Sequence, residues 1–143
     1  MSEFEEFIKE AKKRKRVILV NIENEWDVVM ARREIRRLAE EVGFDEVDQA
    51  RLTMSLAELA KNIILYAGKG KIFMWKSIHK GEVNVNILAE DEGPGISDWD
   101  LKRGFILQKS TGLASVKQLA DKFFLKSSPG RGCIVGIKKI LRK

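Results

Sequence analysis

Residues 45–68 read DEVDQARLTMSLAELAKNIILYAG and residues 82–96 read EVNVNILAEDEGPGI. In the first stretch Leu52, Leu56, Leu59 and Ile63 recur at the 3–4 spacing of one helical face. Asp45 is a capping residue and Gly68 a stop, so the spacing predicts a helix from Asp45 to about Ala67. A second stripe of Arg51, Ser55, Glu58 and Asn62 runs beside the apolar one. Glu58 and Asn62 stand one turn apart and can address a single ligand. A carboxylate there can take a proton or hold a water, and an amide oxygen can ligate Mg²⁺. In the second stretch Val83, Val85, Ile87 and Ala89 alternate as one face of a strand, and period 2 puts Asp91 on that same face. An acid that ends an apolar strand face requires a partner. Gly93 and Gly95, around Pro94, let the backbone approach a flat ligand closely.

Working outward, residues 2–15 read as an amphipathic helix. Ser2 and Glu5 form a capping box, and Phe4, Phe7, Ile8 and Ala11 share a face. A basic run, residues 12–16, follows as a solvated helix end or a docking arm. Val17–Ile22 is an apolar run expected to be a strand. Asn24 caps a helix whose stripe is Val28, Ala31, Ile35, Leu38 and Val42, with Gly43 as its stop. Arg32, Arg33, Arg36 and Arg37 lie on its other face, as a solvated surface or a partner surface. Lys71–Ile78 and Glu82–Asp91 read as a hairpin around Lys80-Gly81. A loop with at most one helical turn runs to Lys109, and Thr111–Asp121 reads as a helix. Phe123–Ser127 and Cys133–Ile140 read as a closing hairpin around residues 129–132. Strands at the start, middle and end with helices between predict an α/β (α+β) two-layer sandwich. Its sheet would be mixed but mostly antiparallel, with helices on one face.

The chain has 143 residues, 44% hydrophobic and 34% charged, with a net charge of +6. That is the size of one ordinary domain. A single cysteine, Cys133, and a single histidine, His79, exclude an internal disulfide and a Cys/His metal site, and count against Ser-His-Asp or Cys-His catalysis. The basic residues are spread over several elements without a stacking or reading motif, so nucleic-acid binding is not expected. No apolar run spans a bilayer and the N-terminus has no signal-peptide pattern, so a cytoplasmic protein with no membrane partner is expected.

Glu58-Leu59-Ala60-Lys61-Asn62 resembles the N-box of the GHKL ATPases and kinases, and residues 91–96 resemble their first glycine box. The chain is most similar to the RsbT-type switch kinases of bacterial stress signalling, over roughly residues 17–142. Residues 48–53, 65–70 and 112–117 and the turn Gly130-Arg131-Gly132 carry the resemblance. It implies a Bergerat ATP-binding fold over residues 17–143, with residues 1–16 as an extra helix and basic run. It implies that Asn62 holds Mg²⁺ against the triphosphate of ATP and that Glu58 orients the attacking hydroxyl. Asp91 would accept the adenine amino group, with Gly93, Gly95 and Ile96 around the base. Lys109, Ser110, Thr111, Gly112 and Leu113 would lie near the phosphates. The implied reaction moves the γ-phosphoryl of ATP to a serine or threonine of a STAS-domain protein in an anti-sigma partner-switching system. A downstream phosphatase or sigma factor and a homodimer are further implied partners. Two departures stand out. The lid segment at residues 108–114 has one glycine, with Ser110 where a second is usual. Cys133 stands where threonine usually follows the Gly-x-Gly turn, and a thiol is the poorer hydrogen-bond partner. The alternative reading is a non-catalytic, anti-sigma-like switch that keeps the fold and binds nucleotide weakly.

Overall fold

The computed structural model describes residues 1–13, 15–93, 112–128 and 130–142. The helices are α1 (Glu3–Ala11), α2 (Glu25–Val42), α3 (Glu46–Ala67) and α4 (Leu113–Leu119). The strands are β1 (Ile18–Ile22), β2 (Gly70–His79), β3 (Glu82–Asp91), β4 (Lys122–Ser128) and β5 (Gly132–Ile140). They form a single five-stranded sheet in the order β1-β2-β3-β5-β4. The expected α+β sandwich is borne out, with one adjustment: every pairing among the described residues is antiparallel, where the sequence reading expected a mixed, mostly antiparallel sheet. No helix among the described residues is long and apolar enough to cross a membrane.

Local chemistry sets the helix ends. The Asn24 side chain accepts the Asp27 N–H at 3.1 Å, and the Asp27 carboxylate accepts the Asn24 N–H at 3.2 Å, closing a capping box at the start of α2. Gly43 ends α2 in the left-handed region, φ 109°. Asp45 caps α3 by accepting the Asp48 N–H at 2.8 Å. The β2–β3 turn is Lys80-Gly81, both with positive φ, which suits the twist of a two-residue hairpin.

The inner face of the sheet presents Ile72, Met74, Val85, Ile87, Ala89, Val135 and Ile137 to α2 and α3. Ala31, Ile35 and Ala39 from α2 and Leu52, Leu56, Leu59 and Ile63 from α3 fill the layer between. The outer face is not bare. Helix α1 lies across it, with Phe7 and Ala11 buried against Phe73, Trp75 and Leu88. Gly136 makes room for this: a Cβ there would stand 2.7 Å from the Phe7 ring. The ring of Phe7 also packs 4.9 Å from Trp75 and 5.2 Å from Phe124. The Trp75 indole N–H donates to Glu10 at 2.8 Å, and Lys12 pairs with Glu90 at 2.6 Å. The apolar stripe read in residues 2–15 thus has a destination, although the helix stops at Ala11. Truncating Phe7 to alanine should lower the unfolding free energy by about 3 kcal/mol. Chemical denaturation measures this, and a change below about 0.5 kcal/mol would mean α1 is not docked in solution.

Candidate functional site

Helix α3 is amphipathic in two registers, and the site grows from the second. Leu52, Leu56, Leu59 and Ile63 face the sheet and are buried. Of the stripe beside them, Arg51 is exposed and pairs with Asp48 at 3.0 Å, and Ser55 is buried. Glu58 and Asn62 are partly exposed. The stripe therefore runs from solvent into the layer and out again, which leaves its last two polar groups at a wet edge.

The Glu58 carboxylate meets the start of α4. Gly112 precedes that helix with φ 75°, and a Cβ on it would lie 2.1 Å from Glu58 Oε2. A side chain there would push the flexible end of Glu58 aside, and the left-handed backbone is strained for any residue but glycine. Lys61 sits 3.9 Å from the other carboxylate oxygen, too long for a strong pair and exposed besides. Glu58 and Gly112 are far apart in sequence, so tertiary structure alone brings them together. Leu113, the next residue, is buried in the inner core and anchors the start of α4.

Further along α3 the chain meets the end of β3. A Cβ on Gly70 would lie 2.8 Å from Ile63 and 3.2 Å from the Asp91 Cβ. A Cβ on Gly93 would lie 2.6 Å from that of Ala67. The last turns of α3 are thus pressed against the strand end that carries Asp91. Asp91 is half-buried on the inner side, as the period-2 pattern requires. Its Oδ1 accepts the Gly93 N–H at 3.0 Å, and the carboxylate also accepts the Cys133 N–H. Burial raises its pKa above the ordinary aspartate value, and the two backbone hydrogen bonds only partly offset this. A carboxylate has about four lone-pair positions, so Asp91 keeps acceptor capacity beyond these two bonds.

Cys133 lies directly across the ladder from Asp91. Burial, and then the Asp91 charge, push its thiol up to about 12, while a hydrogen bond with Ser127 pulls the other way. It stays a thiol at neutral pH and acts as a small apolar neighbour of the acid. Gly132, just before it, approaches the Asp91 carbonyl so closely that a Cβ would lie 1.9 Å from the oxygen. Gly132 and Gly70 were not singled out as site residues by the sequence reading. The Gly-x-Gly turn at 130–132 signalled the first; nothing local signalled the second. Gly95, Ile96, Lys109, Ser110 and Thr111 lie outside the described residues.

The arrangement offers a partly exposed carboxylate against a glycine backbone, an amide one turn on, and an acceptor-rich acid at a glycine-lined strand end. No family model matches the chain. It is 45% identical over 127 residues to the serine/threonine-protein kinase RsbT of Bacillus subtilis (strain 168), covering 86% of this chain and 96% of that protein. In fold it resembles a chain of the SiaB–SiaC complex from Pseudomonas aeruginosa, with TM-score 0.56 and 12% identity over 99% of both chains. It also resembles the histidine kinase AdeS of Acinetobacter baumannii, with TM-score 0.51 and 18% identity, covering 96% of this chain and 74% of that one. At such identities the two structural likenesses bear on the fold alone.

Proposed function

This chain belongs to the RsbT family of serine/threonine-protein kinases, and from that membership we propose that it transfers the γ-phosphoryl of ATP to a serine or threonine of a STAS-domain partner. The observation that carries this reading is the close approach of Gly112 to the Glu58 carboxylate. In this reading Glu58 is the proton acceptor, and the opening of α4 beside it is where the end of a triphosphate would lie.

The donor set suits ATP and Mg²⁺. Asp91 is a desolvated acceptor with lone pairs to spare, which an exocyclic amino group can fill. Gly93 and Gly132 keep side chains away from that end. Asn62, one turn after Glu58, supplies an amide oxygen of the kind that a hard cation accepts. Bound Mg²⁺ would screen the triphosphate charge and help to hold the γ-phosphoryl in line. Glu58 would orient the attacking hydroxyl and draw its proton, which is general-base work. In this scheme residues 17–143 form the kinase unit and α1 is a cover on the sheet's far face. A cytoplasmic setting, a downstream phosphatase or sigma factor and a homodimer belong to the same proposal.

The test combines two measurements. Mg-ATP at about a hundred times its dissociation constant should stabilise the fold by about 2.7 kcal/mol, read as a thermal shift. Labelled phosphate from γ-labelled ATP should appear on a STAS-domain protein from the same genome. Neither shift nor transfer at millimolar nucleotide would remove the proposal. A second reading, a partner-binding switch with little turnover, draws on the inert Cys133 thiol beside Asp91. It expects a thermal shift without transfer.

A further inference from the structure

The two edges of the sheet are built differently. Strand β4 closes one edge and carries Lys122 and Lys126, both exposed. Charges of this kind block edge-to-edge pairing. Strand β1 closes the other edge, and its residues, Ile18-Leu19-Val20-Asn21-Ile22, include no charge and no proline. Among the described residues β1 pairs only with β2, so its outer rim of N–H and C=O groups has no strand beside it. Leu19 is 47% exposed. The two ends of β1 are oppositely charged. Lys15 and Arg16 precede it, Glu23 and Glu25 follow it, and all four are exposed. None of the four forms an ion pair among the described residues. Helix α2 packs on β1 from the inner side. Its Val28 and Arg32 turn toward α3 across a cleft, which puts Met30 and Trp26 on the flank toward the open edge. Trp26 is 65% exposed.

We propose that β1 is the contact between two copies of this chain, paired antiparallel across a two-fold axis at Val20 so that two five-stranded sheets become one. In that register Ile18 of one copy faces Ile22 of the other, and Leu19 faces Asn21. Even-numbered residues stay opposite even-numbered ones, so the inner faces of both sheets remain on one side. The register carries Lys15 and Arg16 of each copy toward Glu23 and Glu25 of the other, twice over by symmetry. A strand that is basic before and acidic after is complementary to itself only when the copies run antiparallel; parallel copies would set like charges together. Trp26 gives the joint an aromatic anchor of the kind on which small interfaces depend. A five-residue strand buries little surface, so the dimer is of micromolar affinity. The homodimer named above thereby acquires a surface, which stands on β1 and its flanking charges and not on phosphoryl transfer.

The experiment follows the full chain by sedimentation velocity from about 1 μM to about 1 mM. The wild type should pass from monomer to dimer over this range, and added salt should favour the monomer. Leu19→Lys puts a charge on the rim and should raise the dimer Kd by about ten-fold or more. A second set of variants reads the register: Lys15→Glu with Arg16→Glu in one chain, and Glu23→Lys with Glu25→Lys in another. Each alone should stay monomeric, because like charges then meet. Mixed in equal amounts, the two should form a heterodimer about as tight as the wild-type dimer. All the altered side chains are exposed, and thermal melting by circular dichroism checks that each variant is folded. A wild type that is monomeric throughout would overturn the proposal. So would a dimer indifferent to Leu19→Lys and to both charge variants, which would place the contact elsewhere. Charge variants that stay apart when mixed would overturn the antiparallel pairing. None of these outcomes involves nucleotide, so the kinase reading holds or fails separately.

Discussion

Replacing Glu58 with glutamine should leave the Mg-ATP thermal shift unchanged and lower phosphoryl transfer by about 10²–10⁴-fold. Glutamine keeps the length and the acceptor oxygen of the side chain but cannot take a proton from the attacking hydroxyl. The surroundings also constrain what can be substituted. Glu58 Oε2 stands where a Cβ on Gly112 would come within 2.1 Å. Gly112→Ala should therefore displace the carboxylate as well as strain a left-handed backbone position. It is expected to slow transfer even though Glu58 itself is intact. Rate and binding must be measured together, because a change confined to the chemical step lowers kcat without weakening the nucleotide complex. Transfer by Glu58→Gln at the wild-type rate would show that this carboxylate is not the base.

The second large effect is at Asp91. Asp91→Asn should abolish the nucleotide-dependent thermal shift and, without nucleotide, raise the melting temperature. The two effects have one cause. Burial holds the Asp91 pKa above its ordinary value, so between the unfolded and folded pKa values the native state binds more protons than the unfolded one. Stability is full below the unfolded value, near 3.8, and falls as pH rises through the folded value. At neutral pH the protein carries the whole penalty of a desolvated charge. An amide keeps an oxygen to accept the Gly93 and Cys133 N–H groups without that charge. It presents one acceptor in place of a carboxylate's two oxygens, and no negative charge, to an incoming amino group. The stabilisation should shrink as the pH is lowered through the folded Asp91 value, where the wild-type carboxyl takes up a proton. A wild type and Asp91→Asn with parallel stability–pH curves would contradict the assignment. A site that trades stability for ligand chemistry in this way is a recurring pattern in proteins.

Much of this was legible along the chain, because it depends on near neighbours. Asp45 and Gly68 bracket α3 through hydrogen bonds and dihedrals within a turn of the helix end, and Asn24 and Gly43 do the same for α2. The alternation from Val83 to Asp91 assigned each residue to a face of β3 and put the acid inward. Lys80-Gly81 set the register of the β2–β3 hairpin. The pairing of an acid-amide helix with a glycine-rich strand end pointed to the candidate site, although nothing local signalled the place of Gly70 in it.

Tertiary structure decided the rest. Periodicity says that a face is apolar but not what covers it. The stripe of α1 was evident in residues 2–15, yet its seat on the outer face depends on Gly136 in β5, which opens the space for Phe7. The same limit applies to the sheet. Strand β5 pairs with β3 across a long connection, and only that pairing sets Cys133 opposite Asp91, where burial and then the acid's charge raise the thiol's pKa. Glu58 and Gly112 likewise belong to elements that no short-range rule connects. Caps, turns and alternation are local balances of hydrogen bonds and steric fit, which the sequence by itself determined. Contacts between distant segments are settled by the joint packing of the core, and they decided which of the chemically competent residues share a site.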